Sequence, residues 1–190
     1  MPMENIVITK AEEFIDKLEG MAKWGAKSTG SDKLLDQATK PLFNWAMRNS
    51  IFPLHFGIMC CALEFASAWD PRFDAERFGI VPRSSPRQCD LLIVNGPISY
   101  KLRPHLRMLY DQMPEPKWVI CMGECAISGG PFYDSYNIVE GTDKFIPVDV
   151  YIPGCPPRPE AMLDGIFKLQ EKIRRAKEGM WGGGVYSRRR

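Results

Sequence analysis

Four cysteines of this 190-residue chain lie in segments where their thiolates could bind a metal group. Cys60 and Cys61 are adjacent, and Cys125 and Cys155 follow far downstream. Each lies in a segment marked by glycine or proline, where the backbone can fold around a bulky group. Four thiolates are what a [4Fe–4S] cubane requires. Neighbouring side chains of an extended chain point to opposite faces, so directing both adjacent thiols at one group requires a bent, strained backbone.

The chain has two further cysteines, which we expect to be structural. Cys89 stands at the entry to a predicted strand, and Cys121 lies inside an apolar one, where a free cysteine behaves as a small hydrophobic residue. Cys121 also forms a C-x3-C pair with Cys125 and is therefore the rival ligand. Structural zinc sites usually combine two short C-x2–4-C pairs, whereas the last two turn cysteines here are about 30 residues apart. The spacing favours a cluster held among three loops, with zinc or no metal as the alternatives.

Composition and charge narrow the class of protein. Hydrophobic residues make up 45% of the chain and charged residues 25%, which is ordinary for a soluble globular domain. A net charge of +2 is not that of a dedicated nucleic-acid binder, so we expect no nucleic-acid partner. No apolar run approaches the ~20 residues of a membrane span, and the N-terminus lacks a signal-peptide layout. We therefore expect a reducing, cytoplasmic environment, where cysteines at turns bind metals rather than form disulfides.

The second half of the chain alternates between strand and helix patterns. Strands are predicted over Leu91–Val94, Trp118–Met122 and Phe145–Ile152, and helices over Leu102–Met113 and Pro159–Lys177. This order predicts an α/β fold with a parallel sheet flanked by helices. Cys125 and Cys155 follow strand ends, which is where open α/β sheets place their ligands.

The ends of the chain are expected to be peripheral. Helical spacing occurs over Ala11–Lys23 and again over Leu34–Met47, which Pro41 interrupts. We divide the chain into an N-terminal segment 1–30, an α/β domain 31–177 and a basic tail 178–190. The tail is interpreted as mobile, or as a segment that docks on a partner or on anionic lipid.

Longer motifs surround the cysteines. They are GIMCCALE at 57–64, DAERFG at 74–79, SPRQ at 85–88, YDQMPEPK at 110–117, MGECA at 122–126 and VDVYIPGCPP at 148–157. From about residue 50 to 175 the chain resembles the B subunit of respiratory complex I, the NADH-quinone oxidoreductase. That family is related to the small subunits of [NiFe] hydrogenases and includes subunits of archaeal complex I-like complexes.

The resemblance implies a flavodoxin-like fold with one [4Fe–4S] cluster, bound in loops at the strand C-terminal ends by Cys60, Cys61, Cys125 and Cys155. It implies an electron-transfer subunit, peripheral on the cytoplasmic face of the cell membrane. The implied partners are a large catalytic subunit like that of hydrogenases, a ferredoxin-like iron–sulfur subunit and membrane-arm subunits. The implied electron acceptor is a quinone.

Some segments depart from the complex I pattern and leave alternatives open. Residues 95–99 replace a usual threonine-rich loop, Glu124 stands where a small residue is expected, and 126–136 also differ. One alternative is the same cluster role in an archaeal-type complex that reduces sulfur or polysulfide, or that uses ferredoxin or F420 as donor. The alternative of another class is a zinc-stabilised interaction domain. Hydrogenase-type relatives generally carry C-x-x-C, so the adjacent pair argues against a hydrogenase.

Glu64 is the candidate catalytic residue. It follows Cys61 by three positions, and on a helix it would face back toward the cysteine loop. Its expected role is a protonatable group coupled to the cluster, and the alternative is a carboxylate favoured by the helix dipole. Arg83 and Arg87 are expected either to raise the potential of an anionic cluster or to form ion pairs with a partner subunit.

Overall fold

The computed structural model describes residues 41, 42 and 44–175. The compact unit that begins at Asn44 holds all the elements named below. The predicted N-terminal segment 1–30, its helix and the basic tail 178–190 lie outside the described residues. The helix predicted over 34–47 lies mostly outside them, and its described end, residues 44–48, is helical.

Four parallel strands form the described sheet. They are β1 Pro53–Gly57, β2 Leu91–Asn95, β3 Trp118–Met122 and β4 Val150–Ile152, in the spatial order β1-β2-β3-β4. Every residue of β2 and β3 is buried. Continuous burial is the pattern of central parallel strands with helices on both faces. The predicted α/β fold with a parallel sheet is therefore confirmed.

An extended segment around residues 79–83 lies along the outer edge of β1. The Val81 amide donates to the Ile51 carbonyl at 3.1 Å, and the Arg83 amide donates to the Pro53 carbonyl at 2.9 Å. This segment follows β1 in the chain yet lies outside it, so the strands run 2-1-3-4-5 in chain order, as in flavodoxin-like folds. The strand order reverses between β1 and β2, which is where such sheets bind ligands at their carboxyl ends.

Helices cover both faces of the sheet. They are α1 Met59–Ser67, α2 Arg103–Gln112, α3 Glu124–Ser128 and α4 Pro159–Arg175. Phe65 of α1 and Ile166 of α4 join Ile93 of β2 in one buried cluster. Leu106 of α2 joins Val94, the next residue of β2, in a second cluster on the other face. Because alternate residues of a strand point to opposite faces, β2 contributes side chains to a core on each face of the sheet. None of the helices in the described part of the chain is long and apolar enough to cross a membrane.

The predicted strand over Phe145–Ile152 is too long, because only Val150–Ile152 pairs with β3. A 3₁₀ turn precedes it at Thr142–Lys144, and the buried Thr142 hydroxyl donates to the Ala126 carbonyl at 2.9 Å. That bond ties the segment to α3, and Pro147 has no amide hydrogen to offer a sheet.

Strand β1 has no clear signal in the sequence. Its residues PLHFG combine a proline, a histidine and a glycine in five positions, and its burial does not alternate. Such a segment becomes a strand because β2 and the 79–83 segment pair with it on both sides.

Candidate metal centre

The adjacent cysteines begin the first helix. Met59 has φ +56°, a left-handed conformation that costs a residue other than glycine about 1–2 kcal/mol. The backbone is thus bent and strained at the residue before the pair, and the two cysteines themselves are helical rather than extended. Adjacent residues of a helix are about 100° apart, so both thiols can serve the same edge of the sheet. Cys60 is exposed and Cys61 is buried.

The loops that carry the other two cysteines are joined through their backbones. Cys125 lies in α3 directly after β3, and Cys155 follows β4. The Gly123 amide donates to the Ile152 carbonyl at 2.9 Å, and the next amide, of Glu124, donates to the Gly154 carbonyl at 3.0 Å. These bonds hold the two loops side by side. Cys125 is buried and Cys155 is exposed.

The thiols of Cys61 and Cys125 lie within electrostatic reach of the other cysteines of the group. Burial raises the pKa of Cys61, and the neighbouring Cys60, Cys125 and Cys155 raise it further, to about 12 in all. Burial also raises the pKa of Cys125, as do Cys155 and Cys60. Three separate segments, the starts of α1 and α3 and the loop after β4, therefore bring these thiols within electrostatic reach of one another, and we call this group the four-cysteine site. Thiolates that feel one another's charge repel unless cations lie between them, so the donor set fits a metal centre.

The remaining two cysteines have other surroundings. The Cys89 thiol donates to the Ser85 carbonyl at 3.1 Å, and burial, with the nearby Asp90, raises its pKa to about 11. Cys121 is fully buried in the core beneath α2 and α3, and burial raises its pKa to about 12. Cys121 therefore points into the core, as its strand position predicts.

Glu64 lies on α1 beside the loop that follows Cys155. It lines an open cleft of about 480 Å³ together with Arg158 and Glu160. The other lining residues are Ser67, Asp70, Arg72, Phe73 and Pro159. The structure thus places this carboxylate next to a cysteine loop, and its catalytic role stays a prediction.

The two arginines lie along the 79–83 edge and the turn after it. The Arg83 guanidinium lies 5.5 Å from the centre of the Phe52 ring. Its positive charge offsets a small part of the rise that burial causes in the pKa of the Cys89 thiol. Arg87 is exposed in the 3₁₀ turn Pro86–Gln88. Their expected effect on a cluster potential stays a prediction.

Sequence reasoning missed the side chain of Asn95. It is fully buried at the last position of β2. The available signal was an amide in a strand whose other four residues, Leu91–Val94, are apolar. In the sequence, residue 95 stands out only as the start of an unusual loop.

Comparison with known proteins identifies relatives over most of the chain. Residues 59–169 match the family described as NADH ubiquinone oxidoreductase, 20 Kd subunit. The B subunit of the NADH-quinone oxidoreductase of Amoebophilus asiaticus is 51% identical over 150 residues, which are 78% of this chain and 94% of the relative. The corresponding B subunit of Clostridium beijerinckii is 59% identical over 136 residues, which are 71% of this chain and 80% of the relative.

One solved structure is similar in sequence and in fold. A chain of the membrane-bound sulfane sulfur reductase, an archaeal respiratory membrane complex, is 45% identical with a TM-score of 0.70. The match covers 74% of this chain and 80% of that chain. The family match includes all four residues of the four-cysteine site. The chain therefore belongs to the NADH ubiquinone oxidoreductase 20 kDa subunit family, and it is a subunit of a complex I-like oxidoreductase.

Proposed function

We propose that the four-cysteine site holds one [4Fe–4S] cluster, and that this subunit passes electrons through it to an acceptor bound against a large catalytic subunit. The observation that carries the proposal is the grouping of Cys60, Cys61, Cys125 and Cys155 from three separate segments of the chain. When bound, the cluster supplies one-electron redox chemistry. The chain's own residues hold it, exclude water from its inner side and set its surroundings.

The spacing of the cysteines supports a cluster over zinc. Structural zinc sites usually combine two short C-x2–4-C pairs. Here Cys60 and Cys61 are adjacent, and Cys125 and Cys155 are 30 residues apart in separate segments. Four thiolates supplied in this way fit a [4Fe–4S] cubane.

The exposed side of the site supports closure by a partner subunit. Cys61 and Cys125 are buried toward the sheet, whereas Cys60 and Cys155 face outward. Beside Cys60, Met59 is 56% exposed and Leu63 is 74% exposed, on the same helix. Large apolar side chains in such a position are typical of a protein interface. We assign this surface to the large catalytic subunit, with the acceptor held between the two proteins.

Relatives suggest two acceptors. A quinone is the first candidate, because relatives that are 51% to 59% identical are named as B subunits of NADH-quinone oxidoreductase. A sulfane sulfur compound is the second, because a chain of the sulfane sulfur reductase is 45% identical. Both acceptors take up protons when they are reduced. Glu64 is the group that we propose to hold a proton beside the site, since its cleft adjoins the loop of Cys155.

The proposal extends to the rest of the complex. We infer a ferredoxin-like iron–sulfur subunit as the electron donor and membrane-arm subunits as further partners. The sulfane sulfur reductase is described as an archaeal respiratory membrane complex. A peripheral position on the cytoplasmic face of the cell membrane is therefore part of the proposal.

Metal analysis of the intact complex tests the cluster. Three complexes are purified without oxygen, with the wild-type chain, the Cys125→Ser chain or the Cys89→Ala chain. The iron, sulfide and zinc contents of each are measured, and electron paramagnetic resonance spectra are recorded. Cys125→Ser should remove or alter one reduced-cluster signal, and Cys89→Ala should retain it. Stoichiometric zinc, with the same iron content and spectra in all three samples, would contradict the proposal.

Turnover of the same preparation distinguishes the acceptors. Donor oxidation is followed with a short-chain quinone and, separately, with polysulfide. Reduction of the quinone supports the first candidate. Reduction of polysulfide but not of the quinone would exclude the quinone and support a sulfane sulfur compound as the acceptor.

A further inference from the structure

Asn95 is a buried amide without a partner. Its side chain is 0% exposed, and neither its Nδ2 nor its Oδ1 has a hydrogen-bond partner among the residues that the structure describes. Buried polar groups in native proteins nearly always have a hydrogen-bond partner. An apolar residue at this position would avoid the free-energy cost of burying an unpaired amide. The amide therefore indicates a partner that is not a side chain or backbone group of residues 44–175.

The position of Asn95 in the sheet directs its side chain toward the four-cysteine site. Alternation along β2 puts it on the face of Leu91 and Ile93, which α1 and α4 cover. Its neighbours across the strands are Gly57 on β1 and Met122 on β3. Gly57 leads into α1 and its cysteine pair, and Met122 leads into the loop of Cys125. Asn95 thus lies between two cysteine loops, where the strand order reverses.

The Cys61 thiol lies close to the end of the adjacent strand, β3. The backbone of Gly123, which follows Met122, is so close to Cys61 that an added Cβ would lie 2.6 Å from its Sγ. Cys61 and Phe65 are the buried residues of α1, so both face the sheet from above β1 and β2. Asn95 therefore ends β2 on the face of the sheet, and beside the strand end, against which Cys61 packs.

The backbone around Asn95 does not need its side chain. The Asn95 carbonyl already accepts the Ile58 amide at 3.2 Å, which closes the start of α1. The next residue, Gly96, has φ +104° and packs so tightly that an added Cβ would lie 2.4 Å from the Ile58 carbonyl oxygen. These backbone contacts hold the strand end, so the local structure does not require the carboxamide of Asn95.

We propose that Asn95 is a positioning residue whose Nδ2 donates a hydrogen bond to a sulfur atom of the cluster bound in the four-cysteine site. The inference rests on the proposed function. A donor on the buried side of an anionic group stabilises the additional negative charge of the reduced form. Hydrogen bonds to cluster sulfurs accordingly raise the reduction potential, so Asn95 makes this centre a better electron acceptor.

A redox titration of the intact complex tests the role of Asn95. Asn95→Leu keeps a side chain of similar size and removes the donor, and the cluster signal is followed by electron paramagnetic resonance as a function of potential. We expect the reduction equilibrium to weaken at least tenfold, which is a shift of about 59 mV or more to lower potential for one electron. Asn95→Asp, which replaces the donor by a carboxylate, should lower the potential further.

Val94→Ala is the matched control, because Val94 precedes Asn95 and packs into the core on the opposite face. It should lower stability and leave the potential unchanged. If Asn95→Leu abolishes the signal, Asn95→Ala, which is smaller and also removes the donor, is titrated in its place and should give a potential below that of the wild type. A cluster signal with wild-type potential in the substituted complexes would show that Asn95 binds only ordered water, and would overturn the inference. A wild-type complex with no such signal would instead refute the proposed function.

Discussion

The Cys61 thiol rests against the backbone of Gly123. A Cβ built on Gly123 would lie 2.6 Å from the Cys61 sulfur, and Gly123 has φ +88°, a conformation that favours glycine. This contact joins the helix that follows β1 to the loop that follows β3. Cys61 and the segment after β3 can thus lie this close together only because Gly123 has no Cβ.

Gly123→Ala should therefore displace the Cys61 sulfur. We expect a loss of iron from the purified complex and a destabilisation of about 1–3 kcal/mol, because both the steric clash and the backbone conformation oppose alanine. Iron analysis and urea denaturation of the full chain measure the two effects. Gly79→Ala is the control, since Gly79 has φ +77° and a Cβ there would clash with the Asn49 carbonyl, far along the sheet edge. Equal iron in the two variants would contradict a specific role for Gly123.

Met59→Gly should relieve backbone strain at the start of α1. Met59 has φ +56°, so glycine removes about 1–2 kcal/mol of strain, which offsets the roughly 0.5–1 kcal/mol that its greater freedom costs in the unfolded chain. We expect an unchanged or slightly higher free energy of unfolding in urea. Leu63→Gly, also at an exposed position of α1, should lose about 1 kcal/mol. A similar loss in both variants would show that Met59 is not strained.

Asp90 should make the stability of the chain fall as pH rises. Burial raises the pKa of this carboxyl from 3.8 to about 6, although its bond from the Phe52 amide opposes the shift. The folded state therefore binds a proton more tightly than the unfolded state, and stability declines between about pH 4 and pH 6. Asp90→Asn, which can still accept the Phe52 amide, should remove a penalty of about 3 kcal/mol that is present at pH 8 and absent below pH 4. Urea denaturation at pH 4 and pH 8 measures it, and an equal effect at both pH values would refute the assignment.

Leu63→Asp should impair assembly without unfolding the subunit. Leu63 is 74% exposed, so a carboxylate there costs little in the isolated chain but is unfavourable within an apolar interface. Co-purification with the large catalytic subunit should fall at least tenfold, while circular dichroism of the free chain stays unchanged. Met108→Asp is the control, because Met108 is 50% exposed on α2, on the other face of the sheet. Equal recovery of both variants would place the interface elsewhere.

Several elements can be predicted from the sequence because their signals are local. The apolar run that stops at Gly123 predicts β3 with the observed ends. The helical pattern before Pro114 predicts α2 to within one residue at each end. The sequence does not reveal β1, and it predicts too long a strand where β4 lies. The presence of β1 and the length of β4 depend on pairing with strands that are distant in the sequence. The residue pattern within one short segment carries no information about that pairing.

The sequence by itself separated Cys121, inside an apolar strand, from the four cysteines near glycine or proline, because such residues and apolar runs act on their nearest neighbours. It did not show that Cys60, Cys61 and Cys125 lie at the starts of helices. Only the tertiary structure decided that thiols from three segments share one site, that Cys61 touches Gly123 and that Asn95 has no partner among the described residues. Those relationships join residues that are tens of positions apart. They follow from the register and order of the parallel strands, which burial of both faces of the sheet imposes on the chain as a whole.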